Sequence, residues 1–405
     1  MKILFLTPQP IYQDRGSPIA VDLVLRALSE RQEFVDAVTY HEGKDIEYEN
    51  ISIHRTLNVP FIRNIQAGFS WKKIVCDFLM IFKVIPLLLR KRYQLVHAVE
   101  EAVFFALLIK FLFKIPYVYD MDSSLAQQMV EQLPWLAPIA PILNYFEGLA
   151  VKNALVVVPV CDALAKDIEK YHPRKIVILQ DISLLNETPS NVQINLKEQL
   201  GISGLILMYV GNLQTYQGID LLLESYALTL NQTKQADLVI IGGAETDIQK
   251  YKELSHKLGI ASKVHFLGPK PVEHLAVYLS QADILVSPRT KGRNTPMKIY
   301  SYLHSGKPLL ATDMPTHTQI LDEKVAMLAS PEPQAFADKM TCLIKDQSLR
   351  LKLGAAGEEL IEEQYSYNAF RKKLNQLFDW LKSEIDRDQE GTPPKRAPYT
   401  PMETF

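Results

Sequence analysis

The stretch from Ser287 to Thr312, SPRTKGRNTPMKIYSYLHSGKPLLAT, gathers the residues of this chain best suited to act together. It follows a short apolar run, Ala282-Asp283-Ile284-Leu285-Val286, that reads as a strand. Arg289, Lys291 and Arg293 then lie in a loop with Gly292, and Asn294-Thr295-Pro296 leads into an amphipathic segment from Met297 to His304. Thr or Asn ahead of Pro is a helix-start signal: a side-chain oxygen can cap the first free N–H groups, and Pro tolerates the first helical position. Gly306 supplies the stop. Free N–H donors and partial positive charge at such a start, with Lys298 and the loop cations beside it, suit phosphate or diphosphate. The competing reading is a solvated basic loop before an ordinary helix. Position favours the anion site, because parallel α/β sheets bind ligands beyond the carboxyl ends of their strands.

The elements that must position this loop follow from an alternation of short apolar runs and helical periods. Ile3 to Leu6 reads as a strand, Ile19 to Leu28 as a helix with Val21, Val24, Leu25 and Leu28 on one face, and Val35 to Tyr40 as a strand. Leu95-Val96, Tyr117 to Tyr119, Leu155 to Val158 and Ile176 to Leu179 are further strands. Asn186, Thr188-Pro189-Ser190-Asn191 and Asn195 form a polar connector. The alternation restarts at Leu205 to Val210 and continues through helices at Ile219 to Leu230 and Thr246 to Leu258. Strand–helix alternation gives parallel sheets covered on both faces. The expected fold class is α/β, with two doubly wound Rossmann-like domains facing a cleft. The expected boundaries are 1–185, a linker at 186–204, 205–365, a closing helix at 366–385 and a disordered tail at 386–405.

Composition narrows the classes. A chain of 405 residues calls for two or three domains, and 47% hydrophobic with 22% charged residues is globular. A net charge of −2 argues against a nucleic-acid binder. Cys76, Cys161 and Cys342 are far apart and fit a reducing cytosol without a zinc motif. Met1-Lys2 runs into only four apolar residues, so no signal peptide is expected and the localisation reads as cytoplasmic. Phe78 to Leu89 and Val103 to Val118 are broken by Lys83 and Pro86, and by Lys110, Lys114 and Pro116. Neither reaches the roughly 18 uninterrupted apolar residues of a spanning helix. Both are nevertheless rich in aromatics and cations, among them Trp71, Lys72, Lys73, Phe82, Arg90, Lys91, Arg92 and Phe111. Such a face can lie on the anionic inner side of a membrane, or its lysine stems can pack a core.

Several fragments taken in order are specific. Tyr209-Val210-Gly211 with Gln217-Gly218-Ile219-Asp220-Leu221-Leu222 is followed by Val239-Ile240-Ile241-Gly242-Gly243 and Val264-His265-Phe266-Leu267-Gly268. Ala282-Asp283-Ile284-Leu285-Val286-Ser287-Pro288 and Gly306-Lys307-Pro308 complete the set. In this combination the chain resembles the GT-B glycosyltransferases of family 4, the glycosyl transferases group 1, over nearly its whole folded length. Arg15-Gly16-Ser17-Pro18 is similar to that family's N-terminal Gly loop. Departures accompany the likeness. Asn212 and Gln217 stand where the family has an Arg and a Lys on the donor diphosphate. Arg293 and Ser301 stand at its paired glutamates, and Asp122 at a first-domain His.

The resemblance implies a retaining, metal-independent hexosyltransferase. It would move a sugar from a nucleotide-sugar donor to a glycan or lipid-linked acceptor in surface polysaccharide or glycolipid synthesis. No cofactor is implied, since the nucleotide-sugar is a substrate, and no nucleic-acid partner. Expected catalytic residues are Asp122, Arg289 and Lys298. Donor contacts are expected from Gly16, Gly211, Asn212, Gln217, Gly243, Lys291, Arg293, Asn294, Thr295, Met297 and Ser301. Acceptor contacts are expected from Arg15, Ser17, His97 and Glu100. Asp120-Met121-Asp122 is the one Asp-x-Asp at a plausible metal position, and the resemblance speaks against that use. The alternative is a catalytically degenerate GT-B module that binds nucleotide, glycan or a protein partner.

Overall fold

The structure is a computed structural model and describes residues 1–13, 16–63, 65, 70–185 and 193–389. By internal contacts the chain divides into two units, Met1–Gln180 with Arg371 onward, and Asp181–Phe370.

The first unit opens with β1 (Lys2–Leu6), α1 (Gly16–Glu30), β2 (Phe34–Thr39) and β3 (Ile51–Arg55). It continues through α2 (Trp71–Arg90), β4 (Leu95–Val99), α3 (Val103–Phe113) and β5 (Tyr117–Met121). Then come α4 (Leu125–Gln132), α5 (Ala140–Asn153), β6 (Val156–Pro159) and α6 (Asp162–Glu169). The six strands are parallel, in the order β3-β2-β1-β4-β5-β6. Parallel strands covered on both faces read as continuous apolar runs, and β1, β4 and β6 are buried almost throughout. On one sheet face a single core joins Leu4, Leu6, Val96, Ala98, Tyr117 and Tyr119 to the inner sides of α2, α3 and α5.

The second unit repeats the pattern: α7 (Leu196–Leu200), β7 (Leu205–Val210), α8 (Ile219–Gln232), β8 (Ala236–Ile241), α9 (Glu245–Lys257) and β9 (Val264–Gly268). Next are α10 (Leu275–Ser280), β10 (Ile284–Ser287), α11 (Lys298–His304), β11 (Leu309–Thr312) and α12 (Pro315–Thr318). β12 (Met327–Ala329), α13 (Pro333–Lys345) and α14 (Gln347–Gln364) complete it. Its strands, again parallel, run β12-β11-β10-β7-β8-β9. Each sheet thus reverses its strand order once, between β1 and β4 and between β7 and β10, and such a reversal opens a ligand crevice at the strands' carboxyl ends.

α15 (Tyr367–Gln389) begins in the second unit and, from Arg371, belongs to the first. Phe378 is fully buried there and lies parallel to the His97 ring, with centroids 6.2 Å apart. Arg31 donates to Asp379 Oδ1 at 2.8 Å, and Arg174 to Glu384 Oε2 at 2.6 Å.

Some expectations are corrected. Ile176 to Leu179 runs beside β6 without forming a full strand: Ile176 bridges Val157 in parallel, the N–H of Val177 donates to the Val157 carbonyl at 3.0 Å and that of Leu179 to the Pro159 carbonyl at 3.2 Å. The segment expected as linker contains helix α7, capped by Asn195, whose Oδ1 accepts from the N–H of Glu198. The helix expected to stop at 385 runs to Gln389. The remaining connector residues 186–192 and the tail from 390 lie outside the described residues, as does Arg15. Among the described residues no helix is long and apolar enough to cross a membrane.

Candidate functional site

The site in the second unit is built by the loops after β7 and β10. β7 delivers Tyr209 to a fully buried position, and the chain then turns at Gly211, whose φ is +151°. A Cβ at Gly211 would stand 2.8 Å from Lys298 Nζ, so the lysine occupies the space that glycine leaves. Lys298 Nζ donates to Tyr209 Oη at 2.8 Å and to Gln217 Oε1 at 3.0 Å, and lies 4.0 Å from the centre of the Tyr209 ring. Tyr209 Oη in turn donates to the carbonyl of Asn212 at 2.6 Å.

Arg289 follows β10 and is 8% exposed. Its Nε donates to the carbonyl of Lys291 at 2.7 Å and its Nη2 to Asn294 Oδ1 at 3.2 Å. Its guanidinium carbon lies 5.2 Å from the centre of the Tyr216 ring. The two loops are tied by the N–H of Thr290, which donates to the carbonyl of Tyr216 at 3.0 Å. Gly218, at φ +74°, passes under Pro288 so closely that a Cβ would lie 1.9 Å from its carbonyl oxygen.

Neither cation has a carboxylate partner among the described residues. Burial holds the Lys298 amine well below the usual lysine range, and Arg289 lowers it further. Burial also lowers Arg289, against the tyrosines Tyr216 and Tyr209. Uncompensated buried charge is costly in a fold, and a bound anion removes that cost. Thr295, in the same loop, is 4% exposed and its hydroxyl has no partner.

Of the four loop cations expected to cluster, the structure buries Arg289 and half-buries Lys298, while Lys291 and Arg293 are exposed. The expected side-chain cap on α11 is absent. Met297 takes the cap position without a side-chain bond, and Pro296, which has no N–H, accepts from Ile299 in a tight first turn. Ser301 Oγ accepts from the N–H of Leu184 at 2.9 Å and so serves the chain entering the unit. Asn212 is exposed, Met297 half-buried, and Gly243 sits after β8 against Leu213. Tyr209 and Tyr216 are members of the site that sequence reading did not assign, because a tyrosine near the end of a buried strand, or in the turn after it, carries no signal beyond packing. His317 is buried between Ser287 Oγ, at 2.9 Å from Nε2, and the Thr312 carbonyl, at 3.0 Å from Nδ1. Burial pushes it down to about 3, which marks a neutral structural ring.

At the first unit's reversal point stands His97. The ring is 2% exposed and lies parallel to Phe5, with centroids 4.5 Å apart, because it is part of the sheet's packing. Its Nε2 pairs with Asp120 Oδ2 at 3.0 Å, which also engages one carboxylate of the Asp-x-Asp. Among the described residues no group of three or more His, Cys, Asp or Glu could hold a metal ion. Asp122 follows β5, half-buried, and does not cap α4; Ser124 does, accepting from the N–H of Gln127 at 3.3 Å. Glu100, held at φ +51°, accepts from Ser123 Oγ at 3.0 Å. Burial and the neighbouring Glu101 push its carboxyl up to about 7. Asp77, bonded by the Tyr40 hydroxyl at 2.6 Å, is pushed up to about 7 by burial and then by Glu101. Glu101 itself pairs with Lys73. Gly16 opens α1 with free space where a Cβ would be, and Ser17 is half-buried in the same turn.

Two doubly wound parallel sheets, one with a buried arginine and a half-buried lysine at its reversal point, define a class that comparison with known proteins makes specific. The chain is similar over its length to sucrose-phosphate synthase from Thermosynechococcus elongatus, with a TM-score of 0.74 and 17% identity, covering 95% of this chain and 99% of that one. It is also similar to Anabaena HepE solved in complex with UDP, with a TM-score of 0.73 and 16% identity, covering 94% and 100%. These likenesses show the GT-B fold. D-inositol 3-phosphate glycosyltransferase of Corynebacterium diphtheriae is 27% identical over 180 residues, 43% of this chain and 42% of the relative. That of Corynebacterium aurimucosum is 26% identical over 294 residues, 69% of each. The chain therefore covers from about two-fifths to about seven-tenths of the length of these curated relatives. Residues 193–360 match the family profile of the glycosyl transferases group 1. That match spans most of the second unit, so the second unit is similar to the glycosyl transferases group 1.

Proposed function

We propose that this protein is a glycosyltransferase that moves a sugar from a nucleotide-sugar donor to a glycan or lipid-linked acceptor. The observation that carries the reading is the pair of desolvated cations, Arg289 and Lys298, without carboxylate partners at the second sheet's reversal point. Sugar transfer must stabilise a departing diphosphate, and positioned cations in a water-poor site do this electrostatically. That HepE was solved with UDP and with UDP-glucose supports a nucleotide-sugar on this fold. Lys298 reaches Gln217 from the opposite loop, so its charge stands beside the position where the family's lysine is replaced. In this reading Arg289 and Lys298 perform the charge stabilisation that a metal would otherwise supply, and Thr295, Asn294 and the Gly211 backbone line the donor. Asp122 and Glu100, at the reversal point of the first sheet, are the residues this reading assigns to the sugar and the acceptor hydroxyl. Membership of family 4, retention of configuration, a role in surface polysaccharide or glycolipid synthesis, and work at the inner face of a membrane belong to the same proposal.

Calorimetric titration with UDP and GDP tests it. Arg289→Ala and Lys298→Ala should each weaken nucleotide-diphosphate binding by about 1.5–3 kcal/mol, the range for hydrogen bonds to charged groups. Unchanged affinity in both folded variants would sink the reading. A second reading, a degenerate module, is favoured by Asn212, Gln217, Arg293 and Ser301 at positions where the family carries opposite or stronger charge. A wild-type protein that binds nucleotide but never cleaves a donor across a nucleotide-sugar panel, even by slow hydrolysis, would decide for it.

A further inference from the structure

The outer layer of the first unit carries apolar surface that the fold does not cover. On α2, Trp71, Ile74, Phe78, Phe82, Ile85 and Leu89 are all exposed, Leu89 by 73%, and their spacing puts them on one helical face. On α3 the exposed set is Phe104, Leu108, Phe111, Leu112 and Phe113, and on α5 it is Ile142, Tyr145 and Phe146. All three helices bury their inner sides in the same core on one face of the sheet, so their outer sides form one layer. Large contiguous apolar patches on soluble proteins mark interaction sites.

Charge says what covers this layer. Along 71–92, 103–114 and 135–153 the cations are Lys72, Lys73, Lys83, Arg90, Lys91, Arg92, Lys110, Lys114 and Lys152. The acids are Asp77 and Glu147, and both are turned inward. Asp77 accepts from Tyr40, and Glu147, 3% exposed, accepts from Ser124 Oγ at 3.0 Å and the N–H of Ala126 at 3.2 Å. Lys73 pairs with Glu101 and Lys91 with Asp36, and the other cations edge an apolar face that, along these three segments, turns no acid outward; such a face is complementary to an anionic bilayer. The chain as a whole has more acids than bases, 46 against 44, so this depletion is local.

The layer is also hollowed. Phe104, Leu125, Ala126, Met129, Leu143, Phe146 and Glu147 line a cavity of about 270 Å³ between α3, α4 and α5. Phe104 and Phe146 belong both to this lining and to the exposed apolar set. The one ionisable lining group, Glu147, directs its carboxylate to the start of α4, and burial raises its pKa. What remains for a ligand is hydrocarbon.

We propose that the outer face of α2, α3 and α5 rests on an anionic bilayer and that the α3–α4–α5 cavity takes one hydrocarbon chain of a lipid from it. This deepens the reading above, since it makes the acceptor a lipid-linked one, and it rests on that reading for the acceptor role alone. The cavity is at the small end for ligand sites, which suits a single chain and not a headgroup.

The full-length protein is bound to vesicles of phosphatidylglycerol that carry a photoactivatable acyl chain, and cross-linked peptides are mapped. Labelling should concentrate on 125–129 and 143–147. Met129→Trp, which fills the cavity from a half-exposed position, should cut that labelling about tenfold, the loss of about two buried methylene groups. Vesicle pelleting by the same variant should stay unchanged. Should Met129→Trp not fold, Leu143→Glu, also half-exposed, makes the same test. Changing Lys72, Lys83, Arg90 and Arg92 to Gln should remove pelleting on anionic vesicles, as should 1 M salt, at which the Debye length is ~3 Å. Labelling spread evenly over both units, or undiminished in the filled cavity, would overturn the chain site. Equal pelleting on neutral vesicles would overturn the anionic surface. UDP titration of the same samples separates the two proposals: chain capture without nucleotide binding fails the transferase reading, and the reverse fails this one.

Discussion

Lys298 holds its amine between the Tyr209 hydroxyl and the Gln217 amide oxygen, over an aromatic face, where burial keeps its pKa well below the ordinary value of 10.5. The unfolded chain keeps the ordinary value. Between the two values the unfolded state therefore binds the extra proton, and this residue makes stability rise with pH across that window. A diphosphate beside the amine favours the charged form and lifts the pKa back. Binding then takes up a proton, and affinity falls as pH rises through the window. Titrations of UDP in buffers of different protonation enthalpy should show that uptake in the wild type and none in Lys298→Met. Identical apparent enthalpies in all buffers would rule out a depressed lysine in the empty site. Arg289, just after β10, and Lys298, at the start of α11, stand out in the sequence by their charge. The burial of His97 was not, since it depends on Phe5 from β1 and Phe378 from α15, far apart in the chain.

At the scale of elements, the site depends on the fit between the loop after β7 and the loop after β10. Gly218 is the contact point, in a left-handed conformation with the Pro288 carbonyl where a Cβ would be. A side chain there meets both backbone strain and a backbone clash. Gly218→Ala should displace the segment that carries Arg289 and lower UDP affinity at least as much as Arg289→Ala does, in a protein whose far-ultraviolet circular dichroism stays native. A variant that binds UDP normally would show that the loops adapt. The strand–helix alternation was legible where strands are long, apolar and central, as in β7, read and found at Leu205–Val210. Of the edge strands β6 was legible and β3 and β12 were not: β3 is only partly buried and β12 has three residues. Residues 176–179 have the apolar run of a strand and do hydrogen-bond to β6, but they form one bridge and no full strand. The cap on α11 was misread because propensity for Thr or Asn before Pro says where a helix can start, not which oxygen reaches an N–H.

At the scale of the whole chain, the first unit is assembled from both ends of the sequence, with α15 returning to it after the second unit is complete. Phe378 is fully buried against His97, and the Arg31 guanidinium lies 5.9 Å from its ring centre. Phe378→Ala should cost about 3–5 kcal/mol, the usual figure for emptying a buried aromatic site. Denaturant unfolding should register the loss while UDP affinity, a property of the second unit, stays at the wild-type value. Loss of UDP binding under native conditions would show that the two units do not keep separate accounts of stability.

The return of α15 also bears on how the chain is made. A ribosome delivers β1 first and α15 last, and domains usually fold in the order they emerge. Here the first unit to appear cannot be the first to close, because the ring that covers His97 is not synthesised until residues 181–370 of the other unit have been. The nascent protein waits with an open seam along α1 and β1, and a chain cut short by a few dozen residues is released with that seam exposed.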